Sequence, residues 1–255
     1  MRRTNFNRSK LIRSLAGLSL VDVAESNQSV AERLGQWFDV TDAMTLFAAL
    51  SPSPSSARST AAKAGAAPAQ AVTVQEELAR VKTALLDSIT GRDGSKRGSK
   101  ALALPQPTQD APAEALVDFL PYHRYYLAHQ RNMAAGIGPL RTGAREVLSR
   151  CSPKLKQLAE LDAALDQALG NRERDLLATV PALLEKHFNK LRIEYQGAPV
   201  GTQNSRDSDE RRRPDEWLAV FCRDMQDMLL AELDVRLQPV VGLIEAYDKE
   251  ASRHQ

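Results

Sequence analysis

Aromatic residues make up only 5% of this 255-residue chain, and cysteine occurs twice. So few aromatic side chains argue against strand-rich architectures, whose pleated faces favour them. The two cysteines, Cys151 and Cys222, show no metal-ligand spacing and sit on apolar helical stripes. They read as buried small hydrophobes in a reducing compartment. Histidine is scarce too: His123, His129, His187 and His254 are the full set. No two share a helical face at three- or four-residue spacing, so no His-Glu-x-x-His site can be built, and no glutamate stands three residues before any of them, so the Glu-x-x-His pairs of di-metal bundles are missing too. Gly-x-Ser-x-Gly, the dinucleotide fingerprint and the phosphate loop are likewise missing. The sequence therefore predicts no metal, no cofactor, no catalytic residue and no enzyme.

Long apolar runs are absent as well. No segment approaches the roughly 18 uncharged apolar residues that read as a membrane span. The basic start (Arg2, Arg3, Arg8, Lys10) leads into LIRSLAGLSLVDV, which Arg13 interrupts and which has no small-residue cleavage pattern. A cytoplasmic protein is expected. Charge of one sign is also lacking: 34 basic residues face 32 acidic ones, a net of +2. A dedicated nucleic-acid binder carries a larger basic excess.

What the chain does have is an apolar register repeating every three and four residues, the signature of helices that bury one stripe. Through the second half it runs over Tyr126, Met133, Ile137, Leu140, Ala144, Val147 and Cys151, and resumes after each break as far as Tyr247. The predicted fold is all-α: an elongated antiparallel helical bundle with coiled-coil-like packing, plus tethered N-terminal helices. Residues 1–50 form an N-terminal helical segment. There Leu11, Ile12, Leu15 and Leu18 line one face of a basic helix that docks on the protein's own body in preference to a membrane. Two more helices, about 29–38 and 41–50, meet at Trp37 and Phe38, with Asp39 or Thr41 as cap. Residues 51–71, with no apolar side chain larger than alanine, read as a disordered linker. Residues 72–91 read as an isolated amphipathic helix opened by a capping box at Thr73 and Glu76. Residues 92–109 read as a second disordered linker, locally basic.

The bundle itself is placed at 110–251. Asp110 and Pro112 open it, and Pro121 kinks or restarts it. A single bent helix then passes through Gly136, Gly138 and Pro139 to Cys151. Ser152 and Pro153 start the next helix, Gly170 and Asn171 end it, and a third carries Leu177, Val180, Leu184, Phe188, Leu191 and Tyr195. After a polar loop the last helix runs from Pro214 to about Ala251. If each break reverses the chain, the first and last helices form a long antiparallel pair with Cys151 level with Cys222, and the middle two form a hairpin. Five arginines in the first helix and nine acids in the last favour that pairing.

The densest polar-aromatic cluster is PYHRYYLAHQRNM. Tyr122, His123, Arg124 and Tyr125, with Trp37 and Phe38, are the candidate interaction surface, since Tyr, Trp and Arg anchor protein interfaces. A nucleic-acid-associated protein using the basic N-terminus and the Arg211–Arg213 run is the alternative. LGQWFDVTDAMTLFAAL, YYLAHQRNM, LLATVPALLEKHF and LLAELDVRLQPVVGLIEA together resemble a proteobacterial family of helical proteins known as a domain of unknown function. That resemblance implies no catalytic residue. It favours a scaffold or adaptor with a protein partner, in an envelope-associated complex, and leaves homo-oligomers open.

Overall fold

Prolines decide where the helices of this chain begin, bend and break. The computed structural model describes residues 9–20, 30–51, 67–92, 104–105, 118–197 and 216–253. Among them lie eight helices and no strand: α1 (Lys10–Gly17), α2 (Val30–Trp37), α3 (Val40–Leu50), α4 (Ala67–Thr90), α5 (Leu120–Cys151), α6 (Pro153–Leu177), α7 (Val180–Gly197) and α8 (Glu216–Ala251). The all-α class is as the sequence predicts. Pro121 and Pro153 occupy first-turn positions of α5 and α6, where a missing N–H costs nothing. Ser152 caps α6 by accepting from the Leu155 N–H at 3.2 Å. Pro139 and Pro239 sit inside α5 and α8 without ending them. Met133, Ile137, Leu140 and Ala144 stay buried on one stripe across Pro139.

The predicted break at Gly170 and Asn171 is not there. α6 continues through both residues, with the Arg174 guanidinium donating to the Asn171 side chain. The break falls instead at Ala178 and Thr179, and Pro181 is its cause. Pro181 has no N–H for the Leu177 carbonyl, and its ring crowds that oxygen. The Gln130 side chain satisfies the carbonyl from α5, with Nε2 at 3.0 Å.

Touching pairs set the directions. α4 runs antiparallel to α5: a Cβ on Gly136 would lie 3.3 Å from Val81, and the Tyr125 hydroxyl donates to the Ile89 carbonyl at 3.3 Å. α6 is also antiparallel to α5, because Arg141 and Arg145 bind Asp162 and Asp166. α7 does not turn back. It continues in the direction of α6 until Phe188 meets Tyr122, ring centroids 5.8 Å apart. α8 begins at that same end, Phe221 standing edge-on to Tyr122 at 5.4 Å, and finishes where Lys154 meets Glu250 at 3.4 Å. Between these, Tyr126 bonds Glu232, and Ala144 shares a core cluster with Leu243.

α5 and α8 are therefore parallel, which corrects the predicted antiparallel pair and the α6–α7 hairpin. The physical reason is that a proline break interrupts hydrogen bonding for one turn and need not reverse the chain. The four rods of the bundle are α4, α5, the kinked α6–α7 and α8. Charge pairing differs accordingly: Arg141 and Arg145 meet α6, not α8. Cys222 lies beside Tyr122 and Tyr125 while Cys151 packs near Tyr247. The two thiols are separated by nearly the whole of α5 from Tyr122 to Cys151, about 44 Å at the helical rise.

Two further expectations change. The 72–91 helix is not isolated: it begins at Ala67, so Thr73 and Glu76 are mid-helix, and Leu85 and Ile89 are buried in the main core. Within the second linker, Leu104 packs against that core. α1 docks on the body as expected, with Leu11 buried and Lys10 Nζ 2.6 Å from Asp234 on α8. Arg2, Arg3, Arg8, residues 52–66, 93–103 and 106–117, and the 198–213 loop lie outside the described residues.

Candidate interaction surface

The polar-aromatic cluster is core, not surface. Tyr122, Tyr125, Tyr126 and His129 are spaced to share one helical face, and all four are buried. Tyr122 packs among Phe188 and Phe221, and Trp217 reaches Phe188 at 5.0 Å. Burial pushes the Tyr122 phenol above its usual range. Of the candidate surface residues on α5, His123 is half-buried against Phe119 and Arg124 alone is exposed. The correction is physical: tyrosine, arginine and histidine suggested a recognition patch by composition, but the spacing is that of a stripe facing inward.

Deeper along the same stripe lies a polar layer. Glu232 is fully buried and accepts from the Tyr126 hydroxyl at 2.8 Å, from Gln130 Nε2 at 3.0 Å and from Arg236 Nε at 2.8 Å. These three donors meet the demand of a buried carboxylate. His129 precedes Gln130 in sequence; its ring stands edge-on to Tyr125 at 4.4 Å, and its Nε2 has no hydrogen-bond partner among the described residues. Burial lowers its pKa to about 4. His187 places Nε2 2.7 Å from Asp224 across α7 and α8. Cys222 is pushed up to about 11 by burial, far from a reactive thiolate. No three His, Cys, Asp or Glu side chains among the described residues cluster as metal ligands. A cleft of about 440 Å³ between α1 and α8 is lined by Lys10, Arg13, Asp227 and Asp234, of which Lys10 and Asp234 already pair. No helix among the described residues is long and apolar enough to cross a membrane.

Among the described residues, exposed large apolar side chains gather into one stripe at the N-terminal corner, while Leu120, Leu176, Ile193 and Val220 are exposed on other helices. Trp37 is half-buried with the Arg172 guanidinium 4.7 Å over its ring, a cation–π contact that ties α2 to α6. Phe38 is half-buried beside it. Asp39 then caps α3 in a reciprocal box: the Asp42 N–H donates to Asp39 at 2.7 Å and the Asp39 N–H donates to Asp42 at 3.2 Å. At the other end Gln157 Nε2 donates to the Leu50 carbonyl at 2.7 Å. Held at both ends, α3 lies antiparallel on α6 with Thr45, Leu46 and Ala49 half-buried. Its opposite stripe points outward: Val40 is 77% exposed, Met44 69%, Phe47 73% and Leu50 56%. Ala43 and Ala48 lie exposed among them, and α3 carries no basic residue.

Sequence reasoning found this helix and offered Asp39 or Thr41 as its cap, of which Asp39 is the one, but passed over its outward stripe. The signal was present in VTDAMTLFAAL, whose apolar residues cover two faces; a helix that buries one stripe needs only one. Clustered apolar exposure of this kind marks an interaction site.

A family model described as "Protein of unknown function (DUF3348)" matches residues 1–249. Neither a curated protein nor a solved structure matches the chain.

Proposed function

We propose, for a chain that belongs to the DUF3348 family of proteins of unknown function, the role of a non-catalytic helical scaffold or adaptor, working in the cytoplasm through protein–protein contacts. The observation that supports this reading is the outward stripe of α3, rigidly mounted on α6 at Trp37 and Leu50. A protein surface suits it: the stripe is apolar and uncharged, whereas phosphate backbones and anionic lipids select for cations. The basic groups Lys10, Arg141 and Arg145 are already engaged with Asp234, Asp162 and Asp166. The α5 tyrosines, first considered as the recognition patch, serve instead to fix the bundle on which α3 is displayed.

The test is affinity purification from the native host with wild-type protein and with Phe47→Glu. We expect a defined set of proteins to accompany the wild type and to be lost from the variant, with melting temperature unchanged because Phe47 is exposed. Identical sets would refute the assignment of this face.

A further inference from the structure

We propose that α1 is a binding helix for anionic lipid surfaces, which α8 holds docked and out of use until such a surface competes for it. This stands apart from the reading of the α3 face.

Charge is the first observation. Residues 1–20 contain five bases, Arg2, Arg3, Arg8, Lys10 and Arg13, and no acid, which leaves 29 bases against 32 acids in the rest of the chain. A cationic segment thus belongs to a weakly acidic body. Within α1 the bases share the helix with an apolar stripe: Leu11, Ile12, Leu15 and Leu18 line one side, and Lys10, Arg13 and Gly17 are exposed on the other. A nucleic acid would engage the cations and leave the leucines in water. Leucines and cations on one short helix fit a surface with acyl chains below and anions above. At eight residues, about 12 Å at the helical rise, α1 can lie in the headgroup layer but not cross it.

The second observation is how lightly α1 sits on α8. Leu11 alone of the stripe is buried, and Ile12, Leu15 and Leu18 are only partly covered. The cleft of about 440 Å³ runs along the polar edge of the contact, and there neither the Arg13 guanidinium nor the Asp227 carboxylate has a partner among the described residues. Lys10 and Asp234 do pair, but their side chains are 67% and 36% exposed, and such pairs hold weakly. The helix cannot stand alone either: it has no side-chain bond at its Ser9 cap and falls well below the length that is stable in water. α1 is therefore helical on a surface or not at all, and α8 and lipid compete for the same leucines. The bundle does not rely on it, since Tyr126 bonds Glu232 and Phe188 stands edge-on to Phe221 at 5.0 Å, fixing α8 to α5 and α7 without α1.

The experiment is cosedimentation of the full chain with phosphatidylcholine vesicles made with or without phosphatidylglycerol. We expect binding to the anionic vesicles alone, weakened by added salt. Asp234→Ala, which releases Lys10 without altering α1, should raise the bound fraction severalfold. Glu245→Ala removes the same charge from α8 about 16 Å further along and should not. Arg13→Glu should weaken binding at least about fivefold, as loss of one interfacial base does, and Leu15→Glu should abolish it. Phe47→Glu should bind like the wild type, because the exposed α3 stripe is not the lipid contact. No binding even by Asp234→Ala, equal gains from Asp234→Ala and Glu245→Ala, binding that survives Leu15→Glu, or binding lost in Phe47→Glu each overturns the inference. So does a short DNA duplex bound as tightly as the vesicles and retained by Leu15→Glu, which would mark the segment as a nucleic-acid arm.

Discussion

At the scale of single residues, Glu232 carries the sharpest expectation. It is fully buried, and Tyr126, Gln130 and Arg236 all donate to it. Glu232→Ala strands these donors and should lower the stability read by urea denaturation by about 3–5 kcal/mol, the range for breaking a buried ion pair. Tyr126→Phe removes one hydrogen bond of the set and should cost only about 1 kcal/mol. His129 predicts a pH dependence. Its folded pKa is lowered to about 4 by burial, while the unfolded imidazole titrates near 6.5. The unfolded chain takes up the proton first, so stability falls as pH drops from about 6.5 toward 4, by a total on the order of 3 kcal/mol. His129→Leu should flatten that part of the curve. Asp162 is a separate contribution at lower pH. Its burial raises its pKa, but hydrogen bonds from Arg141 and Arg145 outweigh that and hold it below the usual carboxylate range.

At the scale of elements, α4 is the helix whose role the sequence concealed. Its apolar stripe, Leu78, Val81, Leu85 and Ile89, was legible, but nothing in the stripe says which surface it covers. The partner feature is Gly136 on α5, which looks like a flaw in a helix until Val81 is seen against it. Gly136→Leu should push α4 off, with a loss of about 1–3 kcal/mol from overpacking and faster amide exchange in residues 74–90. Caps and proline starts were readable because they are local: Ser152 with Pro153, and Asp39. The α6–α7 break was misplaced because Gly170 and Asn171 resemble a helix end, whereas Pro181 is a stronger interruption that its neighbouring leucines masked. α3 shows the reverse limit. Its outward stripe is written in the sequence, but only the position of α6 reveals which of its two apolar faces is spare.

For the whole molecule, topology was beyond the sequence because direction depends on which faces meet, not on how long each helix is. The parallel course of α5 and α8 gives a direct test. Tyr247→Cys should form a disulfide with native Cys151 on mild oxidation, since both pack at the same end, while Cys151 and Cys222 should not pair in the wild-type monomer. A Cys151–Cys222 bridge within one chain would restore the antiparallel arrangement. The parallel course also bears on how the protein is made. The bond between Tyr126 and Glu232 joins residues 106 positions apart, and α8 brings fourteen buried residues to the core. At about 5–20 residues per second of synthesis, α5 leaves the ribosome roughly 5–20 s before the helix that covers it. During that interval the side of the Tyr122, Tyr126, Met133 and Ile137 stripe that α8 covers stays open on a nascent chain, a ready client for a chaperone that holds apolar segments. Synonymous codons that slow translation between residues 151 and 216 should therefore lower soluble yield without altering the stability of the molecules that do fold.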